Sequence, residues 1–349
     1  MDGVITMKKK YFVSVVLCVV GLSLLTGCQS LTADQSTEAY KVESNPGPTM
    51  ISDLIDLSDR LHFPDLENAS KELLQESGYV WGLSATEKKY YFNNTELSPN
   101  ALVQEWTMQE KDKLIKLTME FENQFDEYGI TFEDSIELIK ITNATKLPSV
   151  FVSGNAVVLN QSAVDTHKDD LKDELVQAYF KLYLAKHPEL LDEMTQMIGF
   201  EVLPAVNLPE KLMGHIIIRP GMTKPYLYEA ARGDIQTSPI FKWMPITFIN
   251  PETDLAEDYM LAVTLSANGE AVVKTMTSVN KYLSKIGPLN EHLAVPLVKL
   301  QDAYKVFGEL PENYAHPEDI LALNFMYLVL ERPVTGTGTI DRLKTKLGS

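Results

Sequence analysis

Among side chains able to hold a metal ion or carry acid–base chemistry, the histidines are the most informative. There are six: His62, His167, His187, His215, His292 and His316. No two stand two or four positions apart, so no helix turn or strand face offers two imidazoles together, as a catalytic zinc helix must. Cysteine is scarcer still. Cys18 and Cys28 both lie within the first thirty residues, which excludes a disulfide framework for the rest of the chain. No G-x-S-x-G elbow, P-loop or G-x-G-x-x-G run is present, so the common hydrolase and nucleotide motifs are missing. Gly336 and Gly338, in a Thr335–Thr339 stretch reading TGTGT, follow no strand and do not suggest phosphate binding. Acidic pairs are too numerous for spacing alone to single one out.

The chain has 349 residues and a formal net charge of −17, with no block of five basic residues anywhere. Phosphate recognition needs clustered Lys and Arg, so a nucleic-acid partner is not expected. The acidity is spread along the chain and reads as a solubility device.

The N-terminus sets the expected location. Lys8-Lys9-Lys10 precede a fifteen-residue apolar run, Tyr11–Leu25, and Met7 abuts the lysines as a second candidate start. The run is short for a membrane span and suits a signal-peptide core. It ends in Leu25-Thr26-Gly27-Cys28, which resembles the lipobox of bacterial lipoproteins. That resemblance implies diacylglyceryl attachment to Cys28, cleavage after Gly27 and acylation, as by palmitate, of the new amino terminus. Two or more acyl chains anchor a protein durably. In bacteria with two membranes, the same resemblance, with Gln29 and not Asp in the second mature position, implies sorting to the outer membrane. Residues 28–50 are polar, close on Asn45-Pro46-Gly47-Pro48, and read as a tether.

Residues 51–334 read as one globular domain. Its expected class is α+β, helix-dominated, with a small sheet packed on a central helix. Short helical patterns cover Ser52–Leu61 and Asn68–Gln75, and an aromatic, turn-rich stretch covers Ser77–Asn100. Asn100–Tyr128 carries Leu102, Trp106, Leu114, Leu117, Phe121 and Phe125 at helical spacing. Ile136–Ile141 alternates as a strand, and Val150–Leu159 reads as a second strand with a Gly-Asn bend. The longest periodic run is Asp170–Phe200, broken at His187-Pro188 into two helices. Glu201–Tyr228 reads as loop-rich, while Trp243–Ile249 and Tyr259–Leu265 read as extended or helical. Leu289–Gly308 is expected as helix despite Pro296. Pro317–Glu331 is an apolar helix opening on proline and two acids. Residues 335–349 are expected to form a flexible tail with a short helix.

Several of these stretches together resemble a family of bacterial zincin-like metallopeptidases that includes lipoproteins. Gly154–Leu159 (GNAVVL) resembles the family's edge strand. His187-Pro188-Glu189-Leu190 with Ile198-Gly199-Phe200 resembles its NPEL…IGF segment. Tyr314–Phe325 resembles its late HPEEILADNF-like helix. The resemblance implies a zinc helix bearing H-E-x-x-H. Counted back from Pro188 without gaps, that motif falls on Gln177-Ala178-Tyr179-Phe180-Lys181, so both ligands and the base are replaced. One turn earlier, Asp173–Gln177 retains Glu174 but no histidine. The late helix's Glu-x-x-x-Asp falls on Asp319 and Leu323.

The chain therefore reads as an envelope lipoprotein with a catalytically degenerate metallopeptidase-like domain. It is expected to act by binding or scaffolding, without zinc, toward an envelope protein or peptide. Gln177, Ala178, Lys181, Glu318 and Asp319 mark the degenerate site, with Lys181 expected to reach Glu318 or Asp319 in place of a metal bridge. The alternative is an active metal-dependent hydrolase with a divergent site around Glu174, His187 and His316. A purely structural envelope lipoprotein, with no groove between the two helices, is a third reading.

Overall fold

The computed structural model describes residues 60–69, 79–80, 103–132, 135–142, 149–209, 212, 215–218, 224–235, 238–249, 256–273, 289, 292–312 and 314–348. The signal segment, Cys28, the tether and most of the expected elements between residues 51 and 100 lie outside the described residues. Among the described residues the protein is a mixed α/β fold with two sheets, not one small sheet in a helical frame.

The first long helix, α1, is Met108–Glu127 and starts later than its apolar spacing suggests. Thr107 decides this. Its hydroxyl accepts from the Glu110 amide at 3.2 Å, and the Glu110 carboxylate accepts from the Thr107 amide at 2.8 Å. This reciprocal cap fixes Thr107 in an extended conformation. The preceding residues are free to pair as strand β3, Val103–Gln104.

The smaller sheet is built on β4, Ile136–Ile141. It lies parallel to β1 (Leu61–His62) and to β6 (Ala156–Asn160), and antiparallel to β3. The expected bent strand is a hairpin instead. β5, Val150–Ser153, turns back into β6 through Gly154-Asn155, with Gly154 at φ 56°, where glycine is favoured. Helix α2, Gln161–Asp165, leads into α3, Lys168–Lys186, whose first turn holds Asp169 and Asp170. α3 packs over β5 and β6. Pro188 occupies the first turn of the next helix, α4 (Pro188–Met197), so the chain turns a corner at His187 as its sequence predicts.

Residues 200–230 are not loop-rich. They contain β7 (Phe200–Val202), β8 (Val206–Asn207), β9 (Ile216–Ile218) and β10 (Tyr226–Ala230). Strands of two to five residues carry too little alternation to be legible. With β2 (Tyr79–Val80), β11 (Phe241–Ile249), β12 (Ala256–Leu265), β13 (Ala271–Val273) and β14 (Ala294–Val295) they make a sheet of nine strands among the described residues. β10 to β13 form an antiparallel meander. β7 pairs with β10 at one edge and β8 pairs with β13 at the other. Since only residues 203–205 separate β7 from β8, the sheet must curl on itself like a small barrel. Leu227, Met244, Ile246, Leu261 and Val263 face one way into a second core, while Tyr226, Trp243, Met260 and Ala262 face the helices.

The expected helix Leu289–Gly308 resolves into β14, a 3-10 turn at Leu297–Lys299, and α5, Ala303–Phe307. Pro296 blocks a continuous helix, and Asp302 at φ 60° breaks the rest. Helix α6, Pro317–Val329, is buried on nearly every side, so it and not α3 is the enclosed centre of the fold. The expected flexible tail is packed. α7, Gly338–Leu347, buries Thr339, Ile340 and Leu343, and a Cβ on Gly338 would lie 2.4 Å from the Lys305 carbonyl oxygen.

Candidate functional site

α3 and α6 meet along one seam. Lys181 ion-pairs with Asp319 at one end, and the Arg332 guanidinium donates to Asp173 Oδ1 at 2.7 Å at the other. The helices are therefore antiparallel. Between these clasps the Tyr314 hydroxyl donates to Gln177 Oε1 at 3.1 Å. Asp173, Gln177 and Lys181 are four residues apart, and that spacing aligns them on one stripe of α3. Beneath them Phe180 stacks on Phe325, with centroids 3.9 Å apart and planes 11° apart. Ala178 is buried and presents no polar group.

Of the two carboxylates that Lys181 is expected to reach, Asp319 is the one engaged. The pair is only partly shielded, with side chains 26% and 13% exposed. Glu318 behaves differently. It is 8% exposed, and neither carboxyl oxygen has a hydrogen-bond partner of good geometry. Burial pushes its pKa from 4.5 up to about 7. Its own amide, the nearby Tyr226 hydroxyl and Lys181 oppose this, and Asp319 adds to it.

The alternative catalytic set is not assembled. Glu174 accepts from Ser149 Oγ at 2.7 Å, and its carboxyl is held above the usual range by burial, against that bond and with help from Asp170 and Asp173. His187 lies thirteen residues further along, roughly 20 Å at a helix rise of ~1.5 Å per residue. It is exposed, packs its ring on Tyr183 and places Nδ1 2.8 Å from the Tyr183 carbonyl oxygen. His316 points elsewhere again. Its Nε2 lies 3.1 Å from Thr247 Oγ1, which donates to Asp258 Oδ1 at 2.7 Å, and all three residues are buried. His316 thus ties the start of α6 to the large sheet.

Zinc is implied by the resemblance, and the donor set does not fit it. An ammonium and a carboxamide stand where two imidazoles are needed. The carboxamide oxygen is already engaged by Tyr314, and the ammonium by Asp319. Among the described residues no three His, Cys, Asp or Glu side chains gather to hold a metal ion. No known protein family, curated protein or solved structure matches this chain. Two of the clasps, Gln177–Tyr314 and Asp173–Arg332, are not foreseen from sequence. The four-residue repeat of Asp173, Gln177 and Lys181 was a visible sign that α3 carries a polar stripe. Its partners, more than 130 residues away, carried no such sign.

Proposed function

We propose that this chain is a bacterial envelope lipoprotein, anchored through Cys28, whose zincin-like domain has exchanged a metal bridge for an ion pair and works by binding, not catalysis. One observation carries the reading. Both positions at which the resemblance puts metal ligands, Gln177 and Lys181, contact the segment 314–319 directly through a hydrogen bond and an ion pair. A metal bridge joins the same two helices through coordinated ligands. Here a fixed cation does so with no exchangeable site and no activated water. Such a domain holds its groove shut and presents a rigid outer surface to an envelope protein or peptide.

Metal analysis of the purified full chain after equilibration with zinc tests the loss of catalysis. The expected content is far below one ion per chain. Stoichiometric zinc that disappears in His316→Ala would overturn the reading in favour of an active hydrolase. Anchoring is tested separately by metabolic labelling with a palmitate analogue. Label should be incorporated by the parent chain and absent from Cys28→Ala, and equal labelling of both would remove the lipoprotein assignment.

A further inference from the structure

Far from the seam, the turn between β12 and β13 carries the chain's sole Asn-Gly step, Asn268-Gly269. Ser266 organises this turn. Its amide donates to the Glu270 carbonyl oxygen at 2.9 Å, and its own carbonyl oxygen accepts from the Gly269 amide at 3.0 Å. Its hydroxyl accepts from the amides of Asn268 at 3.3 Å and Glu270 at 3.2 Å. Gly269 stands at φ 80°, the left-handed residue that ends many tight hairpin turns. Asn268 is exposed, and a Cβ added to Gly269 would find, among the described residues, only Pro204 Cγ within 4 Å, at 3.6 Å. With no side chain on residue 269, the Asn268 carboxamide is open to the next backbone nitrogen.

We propose that Asn268 is a site of spontaneous covalent modification, converted to aspartate and isoaspartate through a succinimide at a rate governed by the Ser266 turn. The Gly269 nitrogen gives up its proton to water or hydroxide and attacks Asn268 Cγ. The new N–Cγ bond forms, the Cγ–Nδ2 bond breaks, and ammonia leaves. Water then opens the ring at either carbonyl. One opening restores the main chain with an aspartate; the other routes the main chain through the side-chain carbon as isoaspartate. The net change is one water consumed and one ammonia released, with no oxidant or enzyme. The bond from the Gly269 amide to Ser266 opposes loss of that proton, and the Ser266 hydroxyl pins the peptides on either side. The reaction therefore runs through local openings of the turn. Isoaspartate lengthens the backbone where register matters. Leu265 pairs with Ala271, and Ala271 also pairs with Val206 and donates to the Ala205 carbonyl oxygen at 3.0 Å. A lengthened turn thus acts on the contact by which β13 meets β8 and the sheet curls shut. None of this depends on the proposed function.

Ageing the purified full chain in mildly alkaline buffer, followed by peptide mapping with mass spectrometry, tests it. The peptide carrying Asn268 should gain the mass difference between an amide and an acid. It should resolve into two products, one of them resistant to a protease that cleaves before normal aspartate. Asn268→Gln, whose longer side chain forms the ring far more slowly, should stay unmodified there. Ser266→Ala, checked as folded by circular dichroism, should age about two- to fivefold faster, the scale of a lost turn hydrogen bond. The aged isoaspartyl fraction, separated by ion exchange, should melt below Asn268→Asp, which carries the same charge on an unlengthened backbone. An unmodified Asn268 peptide, aspartate as the single product, or an unchanged rate in folded Ser266→Ala would each overturn the proposal. Equal melting of the isoaspartyl fraction and Asn268→Asp would overturn the link to sheet closure.

Discussion

Two glutamates open two long helices and end in opposite electrostatic states. Glu110 lies in the first turn of α1 and Glu318 in the first turn of α6, where the helix dipole favours negative charge in both cases. Burial pushes both carboxyls upward. Glu110 nonetheless sits near pKa 2, because Lys140 at 2.8 Å, the Thr107 amide and hydroxyl, and Gln161 surround it with donors. Glu318 has no donor of good geometry and rises to about 7. The contrast teaches that the helix end is a minor influence. What decides ionisation is how many donors the neighbouring elements bring, and β4 supplies Lys140 to one glutamate while nothing comparable reaches the other.

The sharpest way to break this contrast is to strip Glu110 of its cation. The Lys140 side chain is 5% exposed and that of Glu110 17%, so Lys140→Met leaves an uncompensated carboxylate and should cost about 3 kcal/mol in urea unfolding at pH 7. The acid limb should change too. Glu110 has a folded pKa below its ordinary 4.5, so its contribution is present above pH 4.5 and is lost as pH falls toward 2. That loss should shrink in the variant. A cost under about 1 kcal/mol would mean that the caps from Thr107 hold the charge unaided.

Glu318 should respond with the opposite sign. Its folded pKa is raised, so its carboxyl favours the fold below pH 4.5 and loses stability as pH climbs from 4.5 to 7. At ~1.4 kcal/mol per pKa unit the ceiling is roughly 3 kcal/mol. Glu318→Gln should therefore stabilise the protein by about 1–2 kcal/mol at pH 8, some of the gain being lost to a buried amide. At pH 4 it should leave stability nearly unchanged or slightly lowered. If the variant is no more stable at pH 8 than the parent, Glu318 has found a partner and the contrast with Glu110 disappears.

The sequence made one glutamate of this pair readable and hid the other. Thr107 and Glu110 show the spacing of a capping box, but the apolar period running back through Trp106 and Leu102 overrode it, because periodicity reports burial and not where a helix begins. Pro188 and Pro317 marked their helices correctly, since proline in a first turn has a local cause. The barrel-like sheet stayed hidden for the converse reason. The pairing of β7 with β10 and β8 with β13 is set by contacts between residues 24 to 65 positions apart, and two-residue strands leave no pattern to read. Within the seam, Lys181 and Asp319 were recognisable as a cation and an anion on two resembling segments. That Tyr314 would engage Gln177, and that His316 would turn to Thr247, depended on side-chain packing alone.

The smallest expected effects belong to the seam itself. Lys181 and Asp319 are partly solvated, so their attraction is screened and the median exposed pair contributes under about 1 kcal/mol. A double-mutant cycle of Lys181→Met and Asp319→Asn should give a coupling of about 0.5 kcal/mol, falling further in 1 M salt as the screening length drops to ~3 Å. Asp173→Asn should cost a similar few tenths by weakening the clasp with Arg332. The size matters for the reading of the groove. A weak pair between Lys181 and Asp319 acts as a filler of charge and space, and the stacked Phe180 and Phe325 beneath it hold the two helices together. A coupling above about 2 kcal/mol would reverse that order and make the ion pair, like Lys140–Glu110, a structural keystone that the two helices could not lose.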